Sequence, residues 1–68
     1  LSMDEKIENK KKLVNDMSAY ADRELTKIKE MWTSDDNSKN LITLWLCASE
    51  LAHAFKVIYD TKKEIEAI

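Results

Sequence analysis

The chain has one cysteine, Cys47, and one histidine, His53, with Glu50 between them. A thiol, a carboxylate and an imidazole are the parts of a nucleophilic centre, where a base takes the proton from the attacking sulfur. Their spacing argues against that use. On a helix turning about 100° per residue, Glu50 and His53 share a face, while Cys47 projects far around from His53. No loop in the sequence offers the paired amide donors that an acyl-transfer site needs. Cys47 reads instead as a small hydrophobe at the edge of a core. His53 reads as a rim residue whose ionisation at mildly acid pH would weaken any contact it borders. One cysteine excludes an internal disulfide, and one cysteine with one histidine makes a structural zinc site improbable. Asp35-Asp36-Asn37 has the look of a calcium loop but lacks its glycine and its closing bidentate glutamate. We therefore expect no catalytic, metal-binding or cofactor-binding residues, no small-molecule substrate and no enzyme.

The elements that would position these side chains are helices. The 68 residues contain neither Gly nor Pro, which removes the residues that tight hairpins and multi-stranded sheets depend on. Abundant Lys, Glu, Leu and Ala favour helix. The net charge of −2 gives no field to draw in nucleic acid or an anionic membrane. The run Lys10-Lys11-Lys12 sits among Glu5, Glu8 and Asp16, and reads as a mixed, solvated face with ion pairs along the helix. Nothing near the N-terminus resembles a signal peptide. Met3 is read as the native start, with Leu1 and Ser2 as a vector-derived leader. A free, buried thiol fits a reducing cytoplasm.

The first helix is expected over about 4–32. Ile7, Val14, Ala21 and Ile28 recur every seven residues, and Met3, Met17 and Met31 run beside them. Leu25 and Trp32 widen the stripe on one side, Leu13 and Tyr20 on the other. Lys10 and Glu24 interrupt it. This is the pattern of bundle or coiled-coil packing. The polar cluster at 33–40 breaks the helix, with a turn at about 33–36 and Ser34, Asp35 and Asp36 as candidate N-caps. A second helix is expected over about 37–66. A short connection makes the two helices antiparallel neighbours. The whole chain, 1–68, is thus read as one all-α, antiparallel two-helix hairpin, completed by oligomerisation or by a partner.

The second helix carries more apolar surface than one neighbour can cover. Leu44, Leu51, Ile58 and Ile65 form one line, with Leu41, Ala48, Phe55 and Tyr59 beside it, Trp45 and Ala52 on the flank, and Cys47 and Ala54 on the other edge. This broad stripe is the expected mate of the first helix, with Leu44, Leu51, Phe55 and Ile58 closing the hairpin. Opposite it runs a thinner row of Ile42, Leu46, His53 and Val57, read as a contact surface. Glu50, His53 and Lys56 interrupt the apolar run, so no membrane span is expected.

The second helix reads Trp45, then Ala48-Ser49-Glu50-Leu51, then Ala54, then Val57-Ile58-Tyr59. In this pattern, in size and in the polar break, the chain resembles the small helical-hairpin co-chaperones of bacterial type III secretion, the short member of the pair that holds the needle subunit before export. The turn lacks the glycine expected in that group, and a charged tail follows Tyr59. The resemblance implies a cytoplasmic, non-enzymatic adaptor that stabilises a larger helical-repeat chaperone. It also implies a contact surface of Trp45, Leu46, Ser49, His53, Phe55 and Val57, to which the apolar row adds Ile42. The alternative is a self-assembling four-helix dimer acting as a structural or a phage or plasmid regulatory protein. The expected partner is another helical protein or a second copy, with no nucleic acid and no membrane.

Overall fold

A computed structural model describes residues 2–33 and 40–68. Two helices make up the fold: α1, Met3–Trp32, and α2, Leu41–Ala67. They lie antiparallel along their length, as the sequence pattern requires. The expected turn beyond Thr33, the candidate caps Ser34, Asp35 and Asp36, and the expected start of the second helix at Asn37 fall outside the described residues.

Ser2 caps α1. Its hydroxyl accepts the Glu5 amide hydrogen at 3.1 Å and faces the Glu5 carboxylate at 3.3 Å. This is a local form of the Ser-x-x-Glu box that satisfies the free amides of a helix start, and Asp4 and Glu5 suit the positive end of the helix dipole. Thr33 ends α1. Its amide bonds the Lys29 carbonyl, and its hydroxyl donates to the Lys29 and Glu30 carbonyls at 2.9 and 3.2 Å. Asn40 opens α2, and its side-chain amide donates to the Met31 carbonyl at 3.4 Å, tying the start of one helix to the end of the other.

The seam between the helices follows alternating steps of three and four residues, as knobs-into-holes packing demands. On α1 it is Ile7, Lys10, Val14, Met17, Ala21, Glu24, Ile28 and Met31. On α2 it is Leu44, Cys47, Leu51, Ala54, Ile58, Thr61 and Ile65. All are buried or half-buried. At its centre the seam is made of small side chains: Ala21, Cys47 and Ala54 are buried, joined by Leu51, and among the described residues no large side chain is completely enclosed. Small residues at several seam positions leave room for the two backbones to approach closely.

That close approach corrects one expectation. The sequence pattern puts Phe55 among the residues that close the hairpin, and Leu41, Ala48, Tyr59, Trp45 and Ala52 in the stripe that mates with α1. The helix is rotated toward its small edge instead. Cys47, Ala54 and Thr61 face α1, and Leu41, Trp45, Phe55 and Tyr59 stay about half exposed or more. A seam lined by residues as small as Ala21, Cys47 and Ala54 has little room for rings of that size.

Polar groups clamp the hairpin on one side. Lys10 pairs with Glu64 at 2.6 Å, and the Tyr20 hydroxyl donates to Glu50 at 2.8 Å. The lysine run behaves as a mixed face: Lys11 pairs with Glu8 and Lys12 with Asp16 along α1, while Lys10 reaches across to α2. Such exposed pairs are screened by water and set register more than stability.

Candidate interaction face

α2 presents its apolar residues to solvent on two flanks that the seam separates. The first flank holds Leu41, Trp45, Ala48, Ala52, Phe55 and Tyr59, all classed as exposed. Helical geometry places them in two adjoining rows beside Leu44, Leu51 and Ile58. A small hollow shared by Lys11, Val14, Asn15, Lys62 and Ile65 shows which part of α1 lies on this flank. Counting in sevens from Lys11, the same row of α1 carries Ser18, Leu25 and Trp32. Leu25 and Trp32 are also exposed, so both helices contribute large apolar side chains to this flank.

The second flank is shorter and more polar. It contains a groove of about 540 Å³ open to solvent, lined by Met17, Tyr20, Ser49, Glu50 and His53. Leu46 stands half exposed above it, and Val57 is half-buried nearer the tail. The Tyr20–Glu50 hydrogen bond spans the groove floor. Glu50 as acceptor stabilises the phenol over the phenolate and raises the Tyr20 pKa to about 12.

The residues expected to meet a partner therefore do not form one patch. Trp45 and Phe55 stand on the first flank, and Leu46, His53 and Val57 on the second. Ile42 and Ser49 lie on the outer ridge between them, Ile42 being the most exposed large hydrophobe among the described residues at 71%. The Ser49 hydroxyl is turned back to the Trp45 carbonyl at 2.9 Å, so its donor is used within α2. Leu25, Trp32, Leu41 and Tyr59 belong to the exposed surface but were assigned to the seam. Their three- and four-residue spacing was in the sequence, and only the choice of which neighbouring rows face inward was open.

The thiol, carboxylate and imidazole considered above are not assembled for chemistry. Cys47 is buried in the seam. Burial pushes its thiol up, Lys27 opposes this, and the Glu24 and Glu50 carboxylates add to the rise. A nucleophilic thiol needs the reverse. Among the described residues no three His, Cys, Asp or Glu side chains are grouped for a metal ion.

Glu24 is the one charged group buried in the seam, at 5% exposure. One carboxylate oxygen accepts from Lys27 at 3.0 Å. The other, Oε2, makes no hydrogen bond. Burying a carboxylate with half its acceptor capacity unused is costly, and it sits beside the smallest residues of the core.

The magnitude of the exposed surface is informative. A compact monomer of 7.9 kDa exposes roughly 4,400 Å² by the usual size scaling, whereas this chain exposes 5229 Å². The excess of about 800 Å² is what one partner contributes to a standard protein–protein interface. By length and composition α2 is also apolar enough to cross a membrane. Its charged and titratable residues in that stretch, Glu50, His53 and Lys56, all fall on the ridge and second flank, and the first flank carries no charge from Leu41 to Tyr59. No family model, curated protein or solved structure matches the chain.

Proposed function

We propose that this protein is a non-enzymatic helical binding module that buries the apolar flank of α2 against another helix-rich protein surface. The observation that carries this reading is the row of large side chains left in water, Leu41, Trp45, Phe55 and Tyr59 on α2 with Leu25 and Trp32 on α1. Exposed strips of this size mark contact surfaces, and rings with polar tips are the usual anchors of such contacts. Work is done by removing apolar surface from water and not by bond chemistry. In the role implied by its resemblance to type III secretion co-chaperones, the module acts in the cytoplasm and stabilises a larger helical-repeat chaperone.

The test is affinity capture from the source cell with wild type and with Trp45→Glu, followed by identification of what is retained. A helical protein held by wild type and released by the variant is expected. Retention indifferent to Trp45 would overturn the reading. The apolarity of α2 supplies a second reading, insertion into a bilayer. Against it stand Glu50 and Lys56 in mid-helix, which are costly in hydrocarbon. Flotation with neutral lipid vesicles separates the two, and the protein is expected to stay with the soluble fraction.

A further inference from the structure

Resting on the reading of α2 as a contact helix, we infer that the occupant of its first flank is a second copy of this chain, docked antiparallel, α2 on α2, about a two-fold axis at the level of Glu50. The exposed residues are spaced symmetrically about that level. Leu41 and Tyr59 lie nine residues to either side of position 50, Trp45 and Phe55 five, and Ala48 and Ala52 two. A two-fold axis there places Leu41 against Tyr59 of the second copy, Trp45 against its Phe55, and Ala48 against its Ala52.

Each pairing is physically apt. The alanines fall at the centre, where two helices crossing an axis come closest. The four rings fall at the two ends, where Trp–Phe pairs can stack edge to face. The steps of four, three, four, three and four residues form a second knobs-into-holes seam beside the one that closes the hairpin. It covers 18 residues of rise, about 27 Å. An isologous contact requires self-complementarity. Alternating three- and four-residue steps are palindromic in any such row, and what suits this one to self-pairing is its order of sizes, alanines at the centre and large side chains toward both ends.

Charge agrees with the pairing. Glu50, the residue level with the axis, points to the opposite flank and is bonded to Tyr20, so the two copies do not bring like charges together there.

Sedimentation equilibrium of the whole chain tests this. Wild type is expected to be a dimer. Trp45→Glu and Phe55→Lys are each expected to be helical monomers, since both residues are exposed in the hairpin. Because a symmetric contact is lost twice, each change should weaken association by about a thousand-fold. The register is tested by mixing the two variants. A heterodimer of the two restores one intact Trp–Phe contact and converts the other to a Glu–Lys pair, so the mixture is expected to dimerise where neither component does.

A mixture that stays monomeric overturns the antiparallel register. A wild-type dimer untouched by Trp45→Glu but lost in Leu46→Asp overturns the choice of flank, and leaves the reading of α2 as a contact helix standing. Wild type monomeric at millimolar concentration overturns self-pairing. In that event, binding of an apolar dye that Trp45→Glu abolishes preserves the contact-helix reading, and its absence overturns both.

Discussion

The interior of this hairpin and its first flank invert the usual placement of side-chain size. Among the most buried residues are Ala21, Cys47, Ala54 and Thr61, with Leu51 the largest of the buried side chains. Outside are Trp32, Trp45, Phe55 and Tyr59. The inside is narrow because it serves a close approach of two helices. The outside is broad because large rings placed against another helix bury more area per residue than any other side chain. A chain of this length has little core to spend, and this one places its largest apolar groups where they contribute only when something covers them. The elongation follows: the radius of gyration is 15.6 Å, against about 11 Å for a compact domain of this length.

The comparison is broken most directly at Leu51. It is the largest of the buried apolar residues, so Leu51→Ala should cost about 2–4 kcal/mol, a large part of the stability that a small domain has. Urea unfolding followed by circular dichroism measures it. A loss below about 1 kcal/mol would mean that the seam is not the core.

A matched pair of insertions sharpens the same contrast. Ala54→Leu adds three carbons inside the seam and should destabilise the hairpin by about 1–3 kcal/mol through overpacking. Ala48→Leu adds the same atoms to the outer flank, where the hairpin has room for them, and should leave the helicity of dilute protein unchanged. At concentrations where the chain self-associates the second variant should be the weaker associator, because the centre of the proposed contact needs small residues. Equal unfolding midpoints for the two variants would erase the distinction between inside and outside.

How much of this was legible follows from the same two regions. The seven-residue repeat of Ile7, Val14, Ala21 and Ile28 identifies α1 and its buried line, and the absence of Gly and Pro removes strands. The polar stretch after Trp32 separates two helices. What the pattern left open was the rotation of α2. Leu44, Leu51, Ile58 and Ile65 are flanked by apolar residues on both edges, so hydrophobicity alone accepts either Phe55 or Ala54 as the inward neighbour. Size decides it, through the close approach at Ala21, and size enters only when two helices are packed together. Ser2 was set aside as leader sequence although Ser2-x-x-Glu5 is a readable capping signal. Lys10 was read with neighbours on its own helix. Its bond to Glu64 spans 54 positions and depends on the register of the hairpin.

Glu24 tests whether the interior is tuned for stability or for specificity. Its carboxylate is buried with Oε2 unbonded, and replacing a buried charge by an apolar side chain of similar volume is often stabilising. Glu24→Met should raise the unfolding free energy by about 1 kcal/mol and extend the methionine line of Met17 and Met31. If the carboxylate fixes the pairing of the helices, the same variant should lose its single sedimenting species and populate larger assemblies, since a polar seam residue specifies register and oligomer state. A variant less stable than wild type would show that the Lys27–Glu24 bond outweighs the cost of burial.

The smallest effect concerns the second flank. The Tyr20 pKa is raised from 10.0 to about 12, chiefly by its hydrogen bond to Glu50. A group whose pKa is higher in the folded chain than in the unfolded one stabilises the fold fully below the unfolded value and loses that contribution as pH rises through the folded value. The Tyr20–Glu50 link should therefore be intact up to about pH 10 and be lost between about pH 10 and 12. Tyrosinate absorbance should show a late-ionising tyrosine, and Glu50→Gln should bring that ionisation earlier, because the neutral amide is a weaker acceptor for the phenol. Tyr20→Phe should abolish the late step while scarcely changing the melting temperature at pH 7, as an exposed bond contributes little. If Tyr20→Phe instead dissociated the protein at pH 7, the groove and not the charge-free flank would be the principal contact surface, and the inversion of size between inside and outside would need another cause.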